Sequence, residues 1–172
     1  DIILALAQSK IKRVDAVGVN AIADHEDICN ARISFKNGCI ANITASRLAL
    51  STTRKFRVFS RQAYLSLDYL KKEGLIIQTD KNINLMKWIK EHQQKGDFDF
   101  STVNWTELLH IEQLEIGDKE PLKVEQESFL EAVLDPNKRP EVTVEEGLAA
   151  LECAEKILKS IKDHQWGAKI GD

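Results

Sequence analysis

A series of short runs rich in β-branched and aromatic residues, each bounded by turn residues, constrains the fold more than any other feature of the chain. The links between these runs are too short to hold a crossover helix, so neighbouring strands must pair in antiparallel fashion. We predict seven strands, at 14–23, 28–35, 39–49, 54–61, 63–70, 75–79 and 106–116. Residues 83–104 could form a short helix or a loop.

The sequence Asn37-Gly38 lies between two of these strands and is the strongest short hairpin signal a sequence carries. A two-residue turn there would place Phe35 opposite Ile40 and Ser34 opposite Ala41. Apolar residues would then lie on both faces of the hairpin, whereas a sheet solvated on one side alternates apolar and polar residues. We therefore expect both faces to be covered, one by helices of this chain and the other by a second subunit or a further domain.

Two helices are predicted after the strands. Residues 120–134 have Pro121 in the favoured first turn. Residues 143–161 begin with Thr143 and Glu146 at capping-box spacing, and we expect the helix glycine Gly147 to allow close packing on the sheet. The predicted fold class is α+β: an open, mostly antiparallel β-sheet with helices packed on one face and the other face available for oligomerisation.

Composition excludes several classes of protein. The 172 residues carry a formal net charge of −3 with a pI near 5.9, so we expect no binding to nucleic acid or to anionic membranes. No apolar run approaches the roughly 20 residues that a membrane helix needs. The three cysteines, Cys29, Cys39 and Cys153, lie in apolar stretches, and we interpret them as buried free thiols of a cytoplasmic protein.

The known short motifs of catalysis are missing from the sequence. It contains no G-x-G-x-x-G, P-loop, C-x-x-C or H-E-x-x-H pattern. We therefore predict no catalytic residue, no cofactor-binding residue and no metal site within these 172 residues.

A basic stretch between Arg47 and Arg61 is the best candidate for a binding site. On an alternating strand, Lys55, Arg57 and Arg61 would share one face with Phe59. Arg47, Arg54 and Lys55 lie near predicted strand ends, where guanidinium and ammonium groups could bind a phosphate or a carboxylate of a substrate. The alternative is a solvated or ion-paired face with no ligand.

Three segments carry a resemblance to a known family. The sequence ARISFKNGCIANITASR resembles the sheet hairpin of the Gfo/Idh/MocA (glucose-fructose oxidoreductase / inositol dehydrogenase) family. EPLKVEQESFLEAV and RPEVTVEEGLAALECAEKILKSI resemble its two closing helices. The resemblance extends over nearly the whole chain and implies a single C-terminal substrate and oligomerisation domain over 1–172, with the N-terminal Rossmann domain absent from this chain.

The resemblance also implies a function. The helix that begins DIILALAQSK would continue an H-x-x-D motif with Asp1 as its aspartate, which places the catalytic histidine, the G-x-G-x-x-G loop and the E-K-P lysine before this chain. The reaction would be hydride transfer between a sugar or polyol C–OH and NAD or NADP. A bacterial branch of the family associated with nucleotide sugars is most similar, which would give Arg47, Arg54 and Lys55 a diphosphate to bind.

The expected partners follow from the same resemblance. They are the missing nucleotide-binding domain, a sugar or nucleotide-sugar substrate, and further copies of the chain in a homodimer or tetramer formed through the sheet face. The isolated chain is expected to bind no cofactor and to be inactive. A non-catalytic, dimerising β-sheet scaffold is the alternative function.

Overall fold

The computed structural model describes residues 1–79 and 109–164. The chain divides into two compact units, one of Asp1–Leu50 with Glu120–Asp172 and the other of Ser51–Lys119. The expectation of one C-terminal domain without its Rossmann domain stays a prediction.

The first unit combines a three-stranded antiparallel sheet of order β1-β2-β3 with three helices. Its elements are α1 (Ile2–Ala7), β1 (Ile11–Val19), β2 (Ile28–Phe35), β3 (Ile40–Ser46), α2 (Pro121–Leu134) and α3 (Val144–Asp163). The described residues of the second unit contain a four-stranded antiparallel sheet of order β4-β5-β6-β7. Its strands are β4 (Lys55–Phe59), β5 (Ala63–Asp68), β6 (Glu73–Thr79) and β7 (Leu109–Leu114).

The predicted α+β class and the antiparallel pairing are confirmed. The strands form two sheets and not one, since no ladder joins β3 to β4 in the described parts of the chain. The first strand begins at Ile11, three residues before the predicted start, and ends at Val19. Residues 83–104, for which a helix or a loop was open, lie outside the described residues.

The predicted register of the β2–β3 hairpin is wrong by one residue. Ser34, and not Phe35, is opposite Ile40, because the loop has three residues instead of two. The Gly38 N–H donates to the Phe35 carbonyl at 3.1 Å, and the Phe35 N–H donates to the Cys39 carbonyl at 2.9 Å. Gly38 has φ 89°, the left-handed conformation that the last position of such a loop requires.

This shift places the apolar residues at the centre of the hairpin on one face of the sheet. Residues directly opposite each other in a ladder share a face, so Ile33 lies with Ala41, and Ala31 with Ile43. Ile33 and Phe35 are the most deeply buried side chains in the described residues. The opposite, outer face is mixed: it carries the polar residues Asn30, Arg32, Ser34, Asn42 and Thr44 together with Ile28 and the half-exposed Ile40. The expected composition of the two hairpin faces is thus corrected, and the expectation that a partner covers the outer face stays a prediction.

Helix α3 covers the apolar face through one stripe of its residues. Cys153 and Ile161 are buried against the sheet, with Ile157 between them. The Ala16 N–H of β1 donates to the Ser160 hydroxyl at 2.9 Å, which satisfies a backbone donor of an edge strand. Helix α1 packs into the same core through Ile3, Leu4 and Ala7.

The helix starts agree with the sequence. Pro121 is the first residue of α2, and the capping box of α3 is complete: the Glu146 N–H donates to the Thr143 hydroxyl at 3.3 Å, and the Thr143 N–H donates to the Glu146 carboxylate at 2.8 Å. A hydrogen bond from Arg139 and the one from the Thr143 backbone together lower the pKa of Glu146 to about 2. Helix α2 differs from α3 in that none of its residues is buried.

Two further expectations are corrected. Gly147 does not lie at a close contact, since a Cβ built there meets no atom within 4 Å. The close approach of α3 to the sheet is at Gly18 in β1, where a Cβ would lie 2.8 Å from Cγ2 of Ile161. The three cysteines are free thiols, but only Cys153 is buried and Cys39 is exposed at the hairpin loop.

Candidate functional site

The three basic residues predicted to contact substrate are divided between the two units. Arg47 follows β3 in the first unit, whereas Lys55 begins β4 in the second unit and Arg54 directly precedes it. The prediction that they bind one substrate anion together stays a prediction.

Arg47 is held by a carboxylate that the sequence did not single out. Nε of Arg47 lies 2.9 Å from Oδ1 of Asp27, and its Nη2 donates to the Glu26 carbonyl at 2.9 Å. The Arg47 N–H also donates to the Asp27 carbonyl at 3.0 Å. The side chain and backbone of Arg47 thus join the end of β3 to the loop between β1 and β2.

Asp27 is the one buried charged residue in the described parts of the chain, with 3% of its surface exposed. Its Oδ2 accepts hydrogen bonds from three successive backbone N–H groups, those of Ala21 at 2.9 Å, Ile22 at 2.7 Å and Ala23 at 3.2 Å. These hydrogen bonds lower the pKa of Asp27 despite its burial, and the bond from Ile22 has the largest effect. The positive charge of Arg47 lowers the pKa further. Asp27 is therefore ionised at neutral pH and fixes the shape of the β1–β2 loop.

The arrangement leaves part of the Arg47 guanidinium available. A guanidinium has five N–H donors, and Asp27 and Glu26 use the edge formed by Nε and Nη2. The side chain is 47% exposed. An arginine held in this way loses little conformational entropy when its free edge meets an anion, so the geometry suits both a structural role and an anion contact.

The second basic group lies in an open groove of about 670 Å³ on one face of the β4–β7 sheet. Lys55 and Arg57 alternate along β4 onto this face, as predicted, and are opposite Asp68 and Ser66 of β5. Nζ of Lys55 lies 3.4 Å from Oδ2 of Asp68. Gln113 of β7 completes the polar floor.

The charge of the groove is nearly balanced. Four basic side chains (Lys55, Arg57, Lys71, Lys72) and three acidic ones (Asp68, Glu73, Glu115) line it, which leaves an excess of one positive charge. The Lys71 N–H donates to the Asp68 carboxylate at 3.2 Å. This hydrogen bond is the largest cause of the lowered pKa of Asp68, and the contact with Lys55 lowers it further. Lys55 is therefore already paired, and Arg57, which sequence reasoning placed on this face but left out of the site, is the better placed cation.

Arg54 directly precedes β4, the strand whose Lys55 and Arg57 line this groove. Its carbonyl accepts a hydrogen bond from the Tyr69 N–H at 2.9 Å, which fixes the backbone at the start of β4. Its side chain is exposed and forms no ion pair within residues 1–79 and 109–164. Of the three predicted residues, Arg54 is the one with the fewest charged contacts to the described part of the chain.

Asp27 could not have been recognised from the sequence. It stands beside Asp24 and Glu26 in a polar loop, and no pattern distinguishes the three acidic residues. The signal is tertiary: only the folded loop brings three N–H groups to one oxygen. Within the described residues, no group of three or more His, Cys, Asp or Glu side chains is arranged to hold a metal ion. No described helix is long and apolar enough to cross a membrane.

Comparison with known proteins identifies the same fold in solved structures. No protein-family model matches the chain. A 70-residue stretch of the chain is 37% identical in sequence to the UDP-N-acetylglucosamine 3-dehydrogenase of Acidithiobacillus ferrooxidans. This stretch is 41% of the present chain and 22% of that enzyme. The solved structure of that enzyme aligns with 94% of this chain at a TM-score of 0.74 and 22% identity, and the aligned part is 44% of its own length. The chain has the fold of a Gfo/Idh/MocA-type C-terminal domain.

Two other solved structures share this Gfo/Idh/MocA-type fold. A levoglucosan dehydrogenase, in complex with NADH and levoglucosan, aligns with 90% of the chain at a TM-score of 0.62 and 14% identity, over 43% of its own length. An inositol dehydrogenase homologue from Azotobacter vinelandii, in complex with NAD+, aligns with 92% of the chain at a TM-score of 0.56 and 12% identity. The aligned part is 42% of its own length. The fold that the resemblance implied is thus confirmed. The chain spans less than half of the length of each of these proteins.

Proposed function

We propose that this chain is the substrate-binding and oligomer-forming part of an NAD(P)-dependent oxidoreductase that acts on a C–OH group of a sugar or polyol, with a nucleotide sugar as the preferred substrate. In such a reaction the carbon gives a hydride to the nicotinamide and the hydroxyl loses its proton, so that C–OH becomes C=O. The cofactor and the proton-transfer groups would lie in a nucleotide-binding domain outside these 172 residues. We expect the protein to be cytoplasmic.

One observation supports this proposal most strongly. The same protein, a UDP-N-acetylglucosamine 3-dehydrogenase, is matched both by sequence over 70 residues and by fold over 94% of the chain. Fold similarity alone would leave the substrate open, because one fold serves many reactions. The stretch of higher identity is what favours a nucleotide sugar over a neutral polyol.

Within the chain, Arg47, Arg54 and Lys55 remain the proposed contacts to the substrate anion. A diphosphate needs guanidinium or ammonium donors that are not fully used by the protein itself. Arg54 has no ion-pair partner among residues 1–79 and 109–164, and Arg47 keeps an edge that these residues do not use while Asp27 holds it. Lys55 shares its charge with Asp68, so we expect its contribution to be the smallest of the three.

The test compares a charged with a neutral substrate in the complete polypeptide that contains this chain. NAD(P)H formation is followed with UDP-N-acetylglucosamine and with a neutral sugar or polyol, for the unchanged protein and for Arg54→Ala. We expect the KM for the nucleotide sugar to rise about tenfold, the effect of losing one charge-assisted hydrogen bond. The KM for the neutral substrate should not change.

Arg61→Ala is the matched control, because it removes the same charge from the same basic stretch outside the proposed contacts. An equal effect of Arg54→Ala on both substrates would refute the anion contact. Absence of any NAD(P)-dependent oxidation by the complete polypeptide would refute the enzymatic proposal and favour the scaffold alternative, in which the sheets only bring subunits together.

A further inference from the structure

The dipeptide Asn37-Gly38 in the β2–β3 hairpin loop has a chemical reactivity of its own, besides its role in the turn. An asparagine followed by glycine loses its side-chain ammonia most readily, because glycine has no Cβ to hinder attack by its own backbone nitrogen on the asparagine side chain. The sequence contains this pair once. Both residues are exposed, and a Cβ built on Gly38 meets no atom within 4 Å, so water reaches the pair freely.

The side-chain amide of Asn37 holds the hairpin loop to the end of helix α1. Its Nδ2 donates to the Ala7 carbonyl at 2.8 Å, while its Oδ1 accepts from the Cys39 N–H at 3.0 Å. Ala7 is the last residue of α1, and the carbonyls at the end of a helix have no partner within that helix. Asn37 therefore supplies a donor that the helix end requires.

Two neighbouring backbone groups strengthen this junction. The Asn37 N–H donates to the Ser9 hydroxyl at 3.2 Å, and the Lys36 N–H donates to the Lys10 carbonyl at 3.0 Å. Together with the bond from Nδ2 of Asn37, they join the hairpin loop to α1 and to the residues that lead from α1 into β1. We call these three hydrogen bonds the α1 clamp.

Helix α1 depends on contacts of this kind. It has six residues, far below the about 12–15 at which an isolated helix becomes even marginally stable in water. Its apolar side packs into the core through Ile3, Leu4 and Ala7, and the clamp holds its polar end. Loss of the clamp should therefore loosen α1 without unfolding the sheet.

The bond from Nδ2 is the part of the clamp that requires an intact amide. A carboxylate at this position would have no donor for the Ala7 carbonyl, so two acceptors would face each other. It would also bring a negative charge to the C-terminal end of α1, where the last carbonyls already carry partial negative charge. Conversion of the Asn37 amide to a carboxylate would thus replace an attraction by a repulsion.

We propose that Asn37 is a deamidation site and that its conversion to aspartate or isoaspartate opens the α1 clamp. In this reaction the backbone nitrogen of Gly38 loses its proton to solvent and forms a bond with Cγ of Asn37, and ammonia leaves from the side chain. Water then opens the resulting succinimide ring at either of its two carbonyls. Water is the only co-reactant, and no electrons are transferred.

The native loop slows this reaction. The Gly38 N–H that has to be freed donates to the Phe35 carbonyl at 3.1 Å, and the departing nitrogen of Asn37 is held by Ala7. Attack therefore requires a locally opened loop, and the rate of conversion reports how often the clamp opens. The net strength of a few hydrogen bonds predicts a native rate about ten- to a hundredfold below that of the unfolded chain.

The first test measures this rate in the complete polypeptide that contains the chain. Peptide mapping by mass spectrometry follows the replacement of NH2 by OH at Asn37, in native buffer and in guanidinium chloride. Ser9→Ala removes one bond of the clamp but leaves the reacting pair unchanged, so it should speed the native reaction about two- to tenfold and leave the reaction in denaturant unchanged. Equal native and unfolded rates would overturn the proposal, as would no native conversion within about a hundred unfolded half-times or no effect of Ser9→Ala.

The second test examines the consequence for α1. Asn37→Asp reproduces one product of the reaction, and Asn42→Asp is the matched control, because it makes the same change on the outer face of β3. The amides of α1 should exchange with solvent at least about fivefold faster in Asn37→Asp and at an unchanged rate in Asn42→Asp. Unchanged exchange in Asn37→Asp, or an equal effect of both substitutions, would refute the clamp. Neither test involves sugar oxidation, so failure of the proposed function would leave both outcomes as they are.

Discussion

The same substitution, glycine to alanine, should change stability in opposite directions at two positions of the first unit. At Gly18, an added Cβ would lie 2.5 Å from Cγ of Glu26 and 2.8 Å from Cγ2 of Ile161. Real Cβ atoms do not approach other heavy atoms this closely. Glu26 can rotate away, but Ile161 is buried between α3 and the sheet, so the helix would have to move.

The magnitudes follow from these contacts. Overpacking a well-packed core by one methyl group costs about 1–3 kcal/mol, which we expect for Gly18→Ala. At Gly147 in α3 the added methyl meets no neighbour within 4 Å, and alanine is favoured over glycine in a helix by about 1 kcal/mol. Gly147→Ala should therefore raise the midpoint of thermal unfolding by about 2–4 °C, and Gly18→Ala should lower it by about 2–10 °C.

Thermal unfolding of the two variants beside the unchanged chain is the assay, and urea unfolding, with the midpoint compared at equal slope, checks the order of stability. Gly18→Ala as stable as the unchanged chain would refute the close approach of α3 to β1. A loss of stability in Gly147→Ala would mean that another surface packs against this side of α3.

Three other outcomes are expected. Thr143→Ala removes the hydroxyl that caps α3 and should cost about 1 kcal/mol in the free energy of unfolding measured with urea, whereas Thr143→Ser should keep most of it. The pKa of Asp27 is lowered in the folded chain, so the stabilisation from its ionised form is complete above the pKa of the unfolded state and is lost as the pH falls through the folded value. Below about pH 4 the free energy of unfolding should therefore fall. In a series of unfolding curves at different pH values, Asp27→Asn should show a weaker dependence of stability on pH than the unchanged chain. Cys39 should react quickly with a thiol reagent in the native chain, and Cys153 only after denaturation, because Cys153 is buried and burial raises its pKa; equal rates would contradict the assigned environments.

Local sequence signals determined the elements of this protein. Alternating β-branched residues predicted every described strand, Pro121 and the pair Thr143 and Glu146 predicted the helix starts, and the family segments predicted the fold. These signals act over a few residues, where side-chain periodicity and capping hydrogen bonds are decided by the chain itself. For the same reason the position of the β2–β3 hairpin turn at Asn37-Gly38 was predicted correctly.

Only the tertiary structure decided how the elements meet. One extra loop residue before Cys39 moved every side chain of β3 relative to β2, so that Ala41 and Ile43 share the helix-covered face with Ile33 and Ala31 while the outer face carries a mixture of polar and apolar residues. The partner of Arg47 was hidden because Asp27 gains its environment from three amides that converge only after folding. The close contact at Gly18 likewise involves Ile161, more than a hundred residues away along the chain. Register, buried charge and close packing depend on contacts between distant segments, and a sequence read locally contains the residues but not their pairing.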